Sequence, residues 1–123
     1  GENNLMTVKG LEGSTDLPIG KACKISRVQN GNIKKMTLHS KTYNYSGKDI
    51  GFTNLETWKD QAMQALNNEG LLKNPLIWNS GVYLWAAGLT KTIDIGISQA
   101  KSLIQSGSMK STLDKLISWR NNI

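Results

Sequence analysis

Ala22-Cys23-Lys24-Ile25-Ser26-Arg27-Val28-Gln29-Asn30-Gly31-Asn32-Ile33-Lys34-Lys35-Met36-Thr37-Leu38 is the stretch on which the fold turns. From Ala22 to Val28, the residues Ala22, Lys24, Ser26 and Val28 alternate with Cys23, Ile25 and Arg27, which is the two-residue period of a strand. Asn30-Gly31 follows, and Ile33 to Leu38 resumes the strand-like character. Both central residues of a type I′ turn need positive φ, and Asn-Gly adopts that at little cost, so the spacing predicts an antiparallel hairpin. Lys24, Lys34 and Lys35 give this hairpin a wet face and place it at a sheet edge, where lysines discourage edge-to-edge pairing.

Upstream, Leu5 to Lys9 is a short apolar and β-branched run ended by Gly10, the pattern of a strand entering a tight turn, and a Gly-rich loop leads on to the hairpin. Downstream, from Thr53, the apolar period becomes that of a helix. Thr53 and Glu56 read as a capping box, and Leu55, Trp58, Ala62, Ala65 and Leu66 form one stripe that Gly70 terminates. Asn74 followed by Pro75 reads as a cap with proline at the first helical position, opening a second helix that runs to Gly88. Its Ser80, Gly81, Ala86 and Ala87 are small enough to let another backbone come close. Thr92 caps a third helix, with Asp94 near its positive end, Ile93, Ile97, Ala100 and Ile104 on one face, and Gly107 as its stop. Ser108 starts the fourth, in which Met109, Leu113, Leu116 and Ile117 continue an amphipathic pattern up to Trp119. The expected architecture is α/β: short strands with an antiparallel hairpin, then four helices.

The 123 residues carry 15 Lys+Arg against 9 Asp+Glu, a net charge of +6. That is one domain's worth of chain, able to bury roughly two thirds of its unfolded surface, so a core without disulfide or metal staples is within reach. Cys23 is the only cysteine and cannot form an internal disulfide, and no Cys/His cluster offers zinc a site, so a cytoplasmic setting is expected and secreted miniprotein scaffolds are excluded. No segment reaches the ~18 uninterrupted apolar residues of a membrane span; Pro75 to Leu89 is broken by Asn79, Ser80 and Gly81. A membrane partner is therefore not expected, nor is a signal peptide. Gly1 in place of an initiator Met reads as a cloning remnant or a cut inside a longer chain. Residues 1–48 hold eight basic and three acidic side chains, a net of +5, whereas 49–123 hold seven and six.

Residue types that carry chemistry are scarce. His39 stands alone at a strand end, with no Ser, Asp or Cys constellation near it in sequence, and reads as structural. Cys23 lies inside a strand and reads as a buried thiol. Trp58, Trp78, Trp85 and Trp119 fall in helices, where core packing or helix–helix contact is expected ahead of base stacking. Gly10-Leu11-Glu12-Gly13-Ser14-Thr15-Asp16 is the more suggestive stretch. A strand that runs into two glycines three apart, then hydroxyls and a carboxylate, brings backbone N–H groups and a metal-competent oxygen near a phosphate. Gly10, Gly13 and Ser14 are the phosphate candidates, although no Walker lysine follows and a plain turn shares the pattern. Lys9, Lys21, Lys24, Arg27, Lys34 and Lys35 could neutralise nucleic-acid phosphates; solvated lysines explain them as well, and no recognition motif accompanies them.

Three segments, taken together, resemble the C-terminal helices of the anthranilate phosphoribosyltransferases. These are Asn79-Ser80-Gly81-Val82-Tyr83-Leu84-Trp85-Ala86-Ala87-Gly88, then Ile93-Asp94-Ile95-Gly96-Ile97-Ser98-Gln99-Ala100 with Ile104-Gln105-Ser106-Gly107, and finally Leu113-Asp114-Lys115-Leu116-Ile117. The family has an Asn-Ala-Ala/Gly helix start, an Ala-Gly end, a Gly-x-x-x-Ala segment, Ser-Gly, and a closing Leu-x-x-Leu-Ile helix. Val8-Lys9-Gly10-Leu11-Glu12-Gly13-Ser14-Thr15-Asp16-Leu17 sits where the family has a strand ending in Gly-x-x-Gly-Leu-Asp-Glu.

The resemblance implies the C-terminal part of a phosphoribosyltransferase-type α/β domain: one partial domain over 1–123, with a basic strand-and-hairpin region at 1–48 and a helical region at 53–122. It implies a parent that transfers phosphoribose from phosphoribosyl pyrophosphate to anthranilate in tryptophan biosynthesis, with Mg²⁺ held in part by the Asp-Glu pair and neutralising the departing pyrophosphate. The family's helical N-terminal region, Gly-Thr-Gly-Gly-Asp loop and anthranilate-binding Asn and Arg would precede Gly1. The isolated fragment is therefore expected to be inactive, to need the rest of the parent chain as partner, to hold no cofactor by itself and to self-associate through unpaired edges. Two departures stand out. The family's Asp-Glu falls on Thr15-Asp16, which leaves Asp16 as the metal candidate and gives Thr15 no charge to contribute, and the family's His-Gly is Lys9-Gly10. Both resemble changes in paralogues that lack biosynthetic activity and bind nucleic acid.

Overall fold

The structure, a computed structural model, describes residues 5–8 and 16–122. Three strands, β1 (Leu5–Val8), β2 (Cys23–Gln29) and β3 (Asn32–Leu38), form an antiparallel sheet in the order β1-β2-β3. Asn30 and Gly31 take φ of 52° and 81°, and the register runs from Gln29 opposite Asn32 to Cys23 opposite Leu38, so the expected two-residue hairpin is present. The hairpin is only half at an edge, however. β1 pairs along β2 from Leu5 opposite Val28 to Val8 opposite Ile25, which makes β2 central and leaves β3 as the edge on that side. After β3 a 3-10 turn at Ser40–Tyr43 leads to four helices, α1 (Leu55–Leu66), α2 (Lys73–Ala86), α3 (Ile93–Gln105) and α4 (Ser108–Asn121). Among the described residues no helix is long and apolar enough to cross a membrane.

Alternation sorts the two faces of the sheet. Cys23 and Ile25 of β2, opposite Leu38 and Met36 of β3, turn inward onto α2 and α3 and join Trp78, Val82, Ile97 and Ile104 in the core. Lys24, Ser26 and Val28, opposite Thr37, Lys35 and Ile33, occupy the outer face. Cys23 is buried, as expected. His39 directly follows β3 and caps the 3-10 turn, its Nδ1 accepting from the Lys41 N–H at 3.2 Å.

The small residues of α2 fulfil the close approach they allow. An added Cβ on Gly81 would stand 2.7 Å from Ile97 N in α3, and one on Gly96 would run into the Gly81 carbonyl oxygen. Backbone therefore meets backbone where α2 and α3 cross, with no room for a methyl group on either side.

Helix ends agree with the sequence where the capping partner is local. Thr92 Oγ1 accepts from Ile95 N–H at 3.1 Å, and Gly107, at φ 78°, separates α3 from α4. At α1 the cap is Asn54 rather than Thr53, its Oδ1 accepting from Thr57 N–H at 2.8 Å. Asn ranks above Thr at this position, so the capping-box reading was one residue early. Gly70 is not the stop either, since α1 ends at Leu66 and the chain has already turned through Asn68 at φ 65°.

At α2 the Asn74-Pro75 reading fails as well, because the helix opens at Lys73 with no side-chain cap. Asn74 spends its amide elsewhere: Oδ1 accepts from the Tyr45 hydroxyl at 3.0 Å and Nδ2 donates to the Ser46 carbonyl at 3.2 Å. Pro75 is tolerated at the third helical position because an N–H there has no partner within the helix.

The tryptophans divide. Trp78 is fully buried and Trp85 half-buried, but Trp58 and Trp119 are 47% and 65% exposed, against the expectation of core packing for all four. α4 buries no residue at all, and its Leu116 and Ile117 face solvent with Trp119. Periodicity identifies an apolar face but not whether anything covers it.

Candidate functional site

Between the residues 9–15 and β2 lies Leu17-Pro18-Ile19-Gly20, whose first three residues are buried although the segment belongs to no strand. A buried backbone group left without a partner costs about 1–3 kcal/mol, so the accounting has to close. Side chains from distant parts of the chain close it. Leu17 N–H donates to Asn79 Oδ1 at 2.7 Å, and Leu17 C=O accepts from Asn79 Nδ2 at 3.0 Å. Pro18 C=O accepts from Trp78 Nε1 at 3.2 Å. Ile19 N–H and Gly20 N–H donate to the two carboxylate oxygens of Asp49 at 2.8 and 3.0 Å, while Ile19 C=O accepts from Ser40 Oγ at 2.8 Å. Pro18 has no N–H to place.

This stitched segment lies against α2, and the residue that precedes it is Asp16. Its side chain is exposed. Tyr83 lies one turn beyond Asn79 on the same face of α2. Burial holds the Tyr83 phenol above its usual value of 10, and the negative charges of Asp16 and then Cys23 add to the shift, so the Asp16 carboxylate stands near this turn of the helix. Lys9, Gly10, Gly13, Ser14 and Thr15 lie outside the described residues, which leaves Asp16 as the one metal or phosphate candidate whose place is known.

Among the described residues no three His, Cys, Asp or Glu side chains gather to hold a metal. One exposed carboxylate beside a phenol does not make a protein-only metal cage. It does fit Mg²⁺ that arrives on a pyrophosphate, because that ion keeps most of its oxygen ligands from water and substrate phosphates and takes one or two carboxylates from the protein.

The six basic candidates do not form one patch. Lys24 and Lys35 project from the outer face of the sheet, where a depression of about 530 Å³ is lined also by Thr7, Ser26 and Thr37. Arg27 is turned inward. Its guanidinium lies 4.2 Å above the Trp85 ring and donates from Nη2 to the Trp85 carbonyl at 3.1 Å, at the C-terminal end of α2. Lys34 sits opposite Arg27 on that face, Lys21 is exposed ahead of β2, and Lys9 lies outside the described residues.

Sequence reasoning missed Asn79, Asp49 and Ser40 as supports of the site. For Asn79 a signal existed: a carboxamide in the mostly apolar run from Leu76 to Trp85 calls for a buried partner. Ser40 and Asp49 sit in a polar stretch and carry no such signal.

No family model matches the chain. Among curated proteins, the anthranilate phosphoribosyltransferase of Aromatoleum aromaticum is 26% identical over an alignment of 123 positions that covers 97% of this chain and 36% of that protein. Its counterpart in Burkholderia ambifaria is 24% identical over an alignment of 121 positions that covers 95% of this chain and 35% of that one. The crystal structure of anthranilate phosphoribosyltransferase from Thermus thermophilus superposes with a TM-score of 0.73 at 20% identity, covering 94% of this chain and 35% of that chain. The described strands and helices thus correspond to an α/β fold already seen in that enzyme. The chain resembles the anthranilate phosphoribosyltransferases over nearly its whole length, while spanning only about a third of the length of the proteins it matches.

Proposed function

We propose that this chain is the C-terminal portion of an anthranilate phosphoribosyltransferase-like protein, whose complete form moves phosphoribose from phosphoribosyl pyrophosphate to the amine of anthranilate in the cytoplasm. The observation that carries the reading is similarity spread over 97% of this chain but only 36% of the relative. On this reading Gly10, Gly13 and Ser14 are the phosphate candidates and Asp16 the metal candidate for the pyrophosphate. Mg²⁺, when bound, neutralises the charge that builds on the leaving pyrophosphate. Asp16 supplies a single carboxylate toward it, held in place by the stitched segment 17–20, and Thr15 adds no charge. The acceptor site and the main phosphate loop come from further polypeptide, so the chain by itself is inert and holds no cofactor. The test is to assay the complete protein with phosphoribosyl pyrophosphate and anthranilate. Turnover that Asp16→Ala lowers at least tenfold supports the reading; unchanged turnover removes the role of Asp16, and absence of turnover in the unaltered protein removes the enzyme.

A second reading, a nucleic-acid-binding paralogue on the same fold without biosynthetic activity, is favoured by one observation. Lys24 and Lys35 share the outer face of the sheet with the hydroxyls of Thr7, Ser26 and Thr37, and Lys9 and Lys21 precede that sheet's central strand. Affinity for single- or double-stranded nucleic acid measured between about 50 and 200 mM salt decides it. Phosphate contacts predict a fall of an order of magnitude or more, and a flat response refutes them.

A further inference from the structure

Asn79 is a carboxamide on the face of α2 that carries buried Trp78 and Val82, and its hydrogen bonds account for its presence there. With Leu17 it makes the two-bond exchange that a neighbouring strand would make, accepting from the N–H and donating to the C=O. Its Nδ2 also donates to the Pro75 carbonyl at 3.0 Å, which fixes the orientation of the amide against its own helix. Leu17 directly follows Asp16, and the peptide joining them is planar, so holding the Leu17 N–H fixes the plane that also carries the Asp16 carbonyl and Cα. Pro18 on the other side restricts Leu17 to extended backbone. Trp78, Asp49 and Ser40 hold residues 18–20 independently. Of these four side chains, Asn79 is the one bonded to the residue that directly follows Asp16.

We infer that Asn79 is the positioning residue for Asp16: by pairing with both backbone groups of Leu17 it sets the point at which the Asp16 carboxylate meets a pyrophosphate-bound divalent cation. The inference rests on the reading of Asp16 given above, and the experiment separates the two.

The probe is Mn²⁺ with inorganic pyrophosphate, titrated into the complete isotope-labelled chain, this segment together with the further polypeptide that carries the main phosphate loop, and followed by paramagnetic broadening of amide resonances. In the unaltered chain, Asp16 and Leu17 broaden first, and Asp16→Ala abolishes the effect. Asn79→Ala weakens binding about 10- to 100-fold, the usual loss when a group that orients a metal ligand is removed. Thr92→Ala strips the Ile95 N–H of its acceptor at the start of α3, lowers thermal stability, and leaves the affinity within twofold. If Asn79→Ala binds as the unaltered chain does while Asp16→Ala does not, the positioning role is overturned and Asp16 keeps its own. If Asn79→Ala and Thr92→Ala weaken binding equally, general loosening replaces positioning. If the unaltered chain shows no broadening at Asp16, the reading of Asp16 falls and the inference with it. Should Asn79→Ala fail to fold, hydrogen exchange in the unaltered chain serves instead. Mg²⁺-pyrophosphate then raises the protection of the Leu17 amide more than that of Ile19, and equal protection refutes the coupling.

Discussion

Replacing Gly96 by Ala tests the helix crossing that supports the whole site. The added methyl group would run into the Gly81 carbonyl oxygen and would meet Gly81 C at 3.0 Å and Thr90 Oγ1 at 3.2 Å. A methyl group has no rotamer with which to escape, and the atoms it meets first belong to backbone, so α2 and α3 have to separate. Overpacking of this kind costs about 1–3 kcal/mol, with backbone obstacles at the upper end. Against it stands the better helix propensity of Ala over Gly, about 1 kcal/mol. The net loss is about 2 kcal/mol, which in a domain of this size lowers the melting temperature by about 8 °C. Urea unfolding followed by far-UV circular dichroism should show an earlier midpoint at an unchanged slope, the signature of lost stability without a changed unfolded state. Gly51→Ala is the control, because nothing lies within 4 Å of a Cβ there, and it should stay within about 0.5 kcal/mol of the original. A Gly96→Ala protein as stable as the original would refute the close-packed crossing.

Buried phenols and uncovered apolar surface each carry an expectation of their own. Burial pushes the Tyr45 phenol up to about 12 and also raises Tyr43, where the charge of Asp94 adds to the effect. An unfolded phenol releases its proton near pH 10, so the folded state binds more protons between 10 and 12, and stability present below pH 10 declines across that window. Tyr45→Phe should flatten the decline measured by chemical denaturation at stepped pH; an unchanged slope would remove Tyr45 as its source. Self-association is the other. Phe52, Leu55, Trp58, Leu116 and Trp119 are all 47% exposed or more, and the chain in isolation is expected to bury part of this surface against copies of itself. Sedimentation velocity at micromolar concentration should show species above the monomer, and a single compact monomer would count against it.

Local chemistry made much of the fold legible. Asn30-Gly31 announces the hairpin because positive φ is a property of those two residues, and Thr92 announces α3 because its bond partner, Ile95, is three residues away. Asn74-Pro75 misled for the opposite reason: the bonds of Asn74 go to Tyr45 and Ser46, 29 and 28 residues back, and no local pattern records that demand. Arg27 sat in a basic run yet found the Trp85 ring 58 residues on, which took it from the charged surface to the inner face. At the site, Asp16 was readable as a residue type in a Gly-rich context. Of its supports only Asn79 left a trace, as a carboxamide in a mostly apolar run, while Asp49 and Ser40 are defined by tertiary contact alone.

The segment from Leu17 to Gly20 has a kinetic corollary. Its partners lie 62, 60, 30 and 21 residues away in the chain, whereas the β2–β3 turn closes between neighbours. Entropy has to be surrendered for each long closure before any bond compensates it, and the groups of Asn79 and Trp78 are not in place until α2 has docked. The hairpin is therefore ready early, and the stretch that aims Asp16 is set down last. In pulse-labelling during refolding, the amides of Leu17, Ile19 and Gly20 should gain protection after those of β2, so that the chain completes its scaffold before it completes its chemistry.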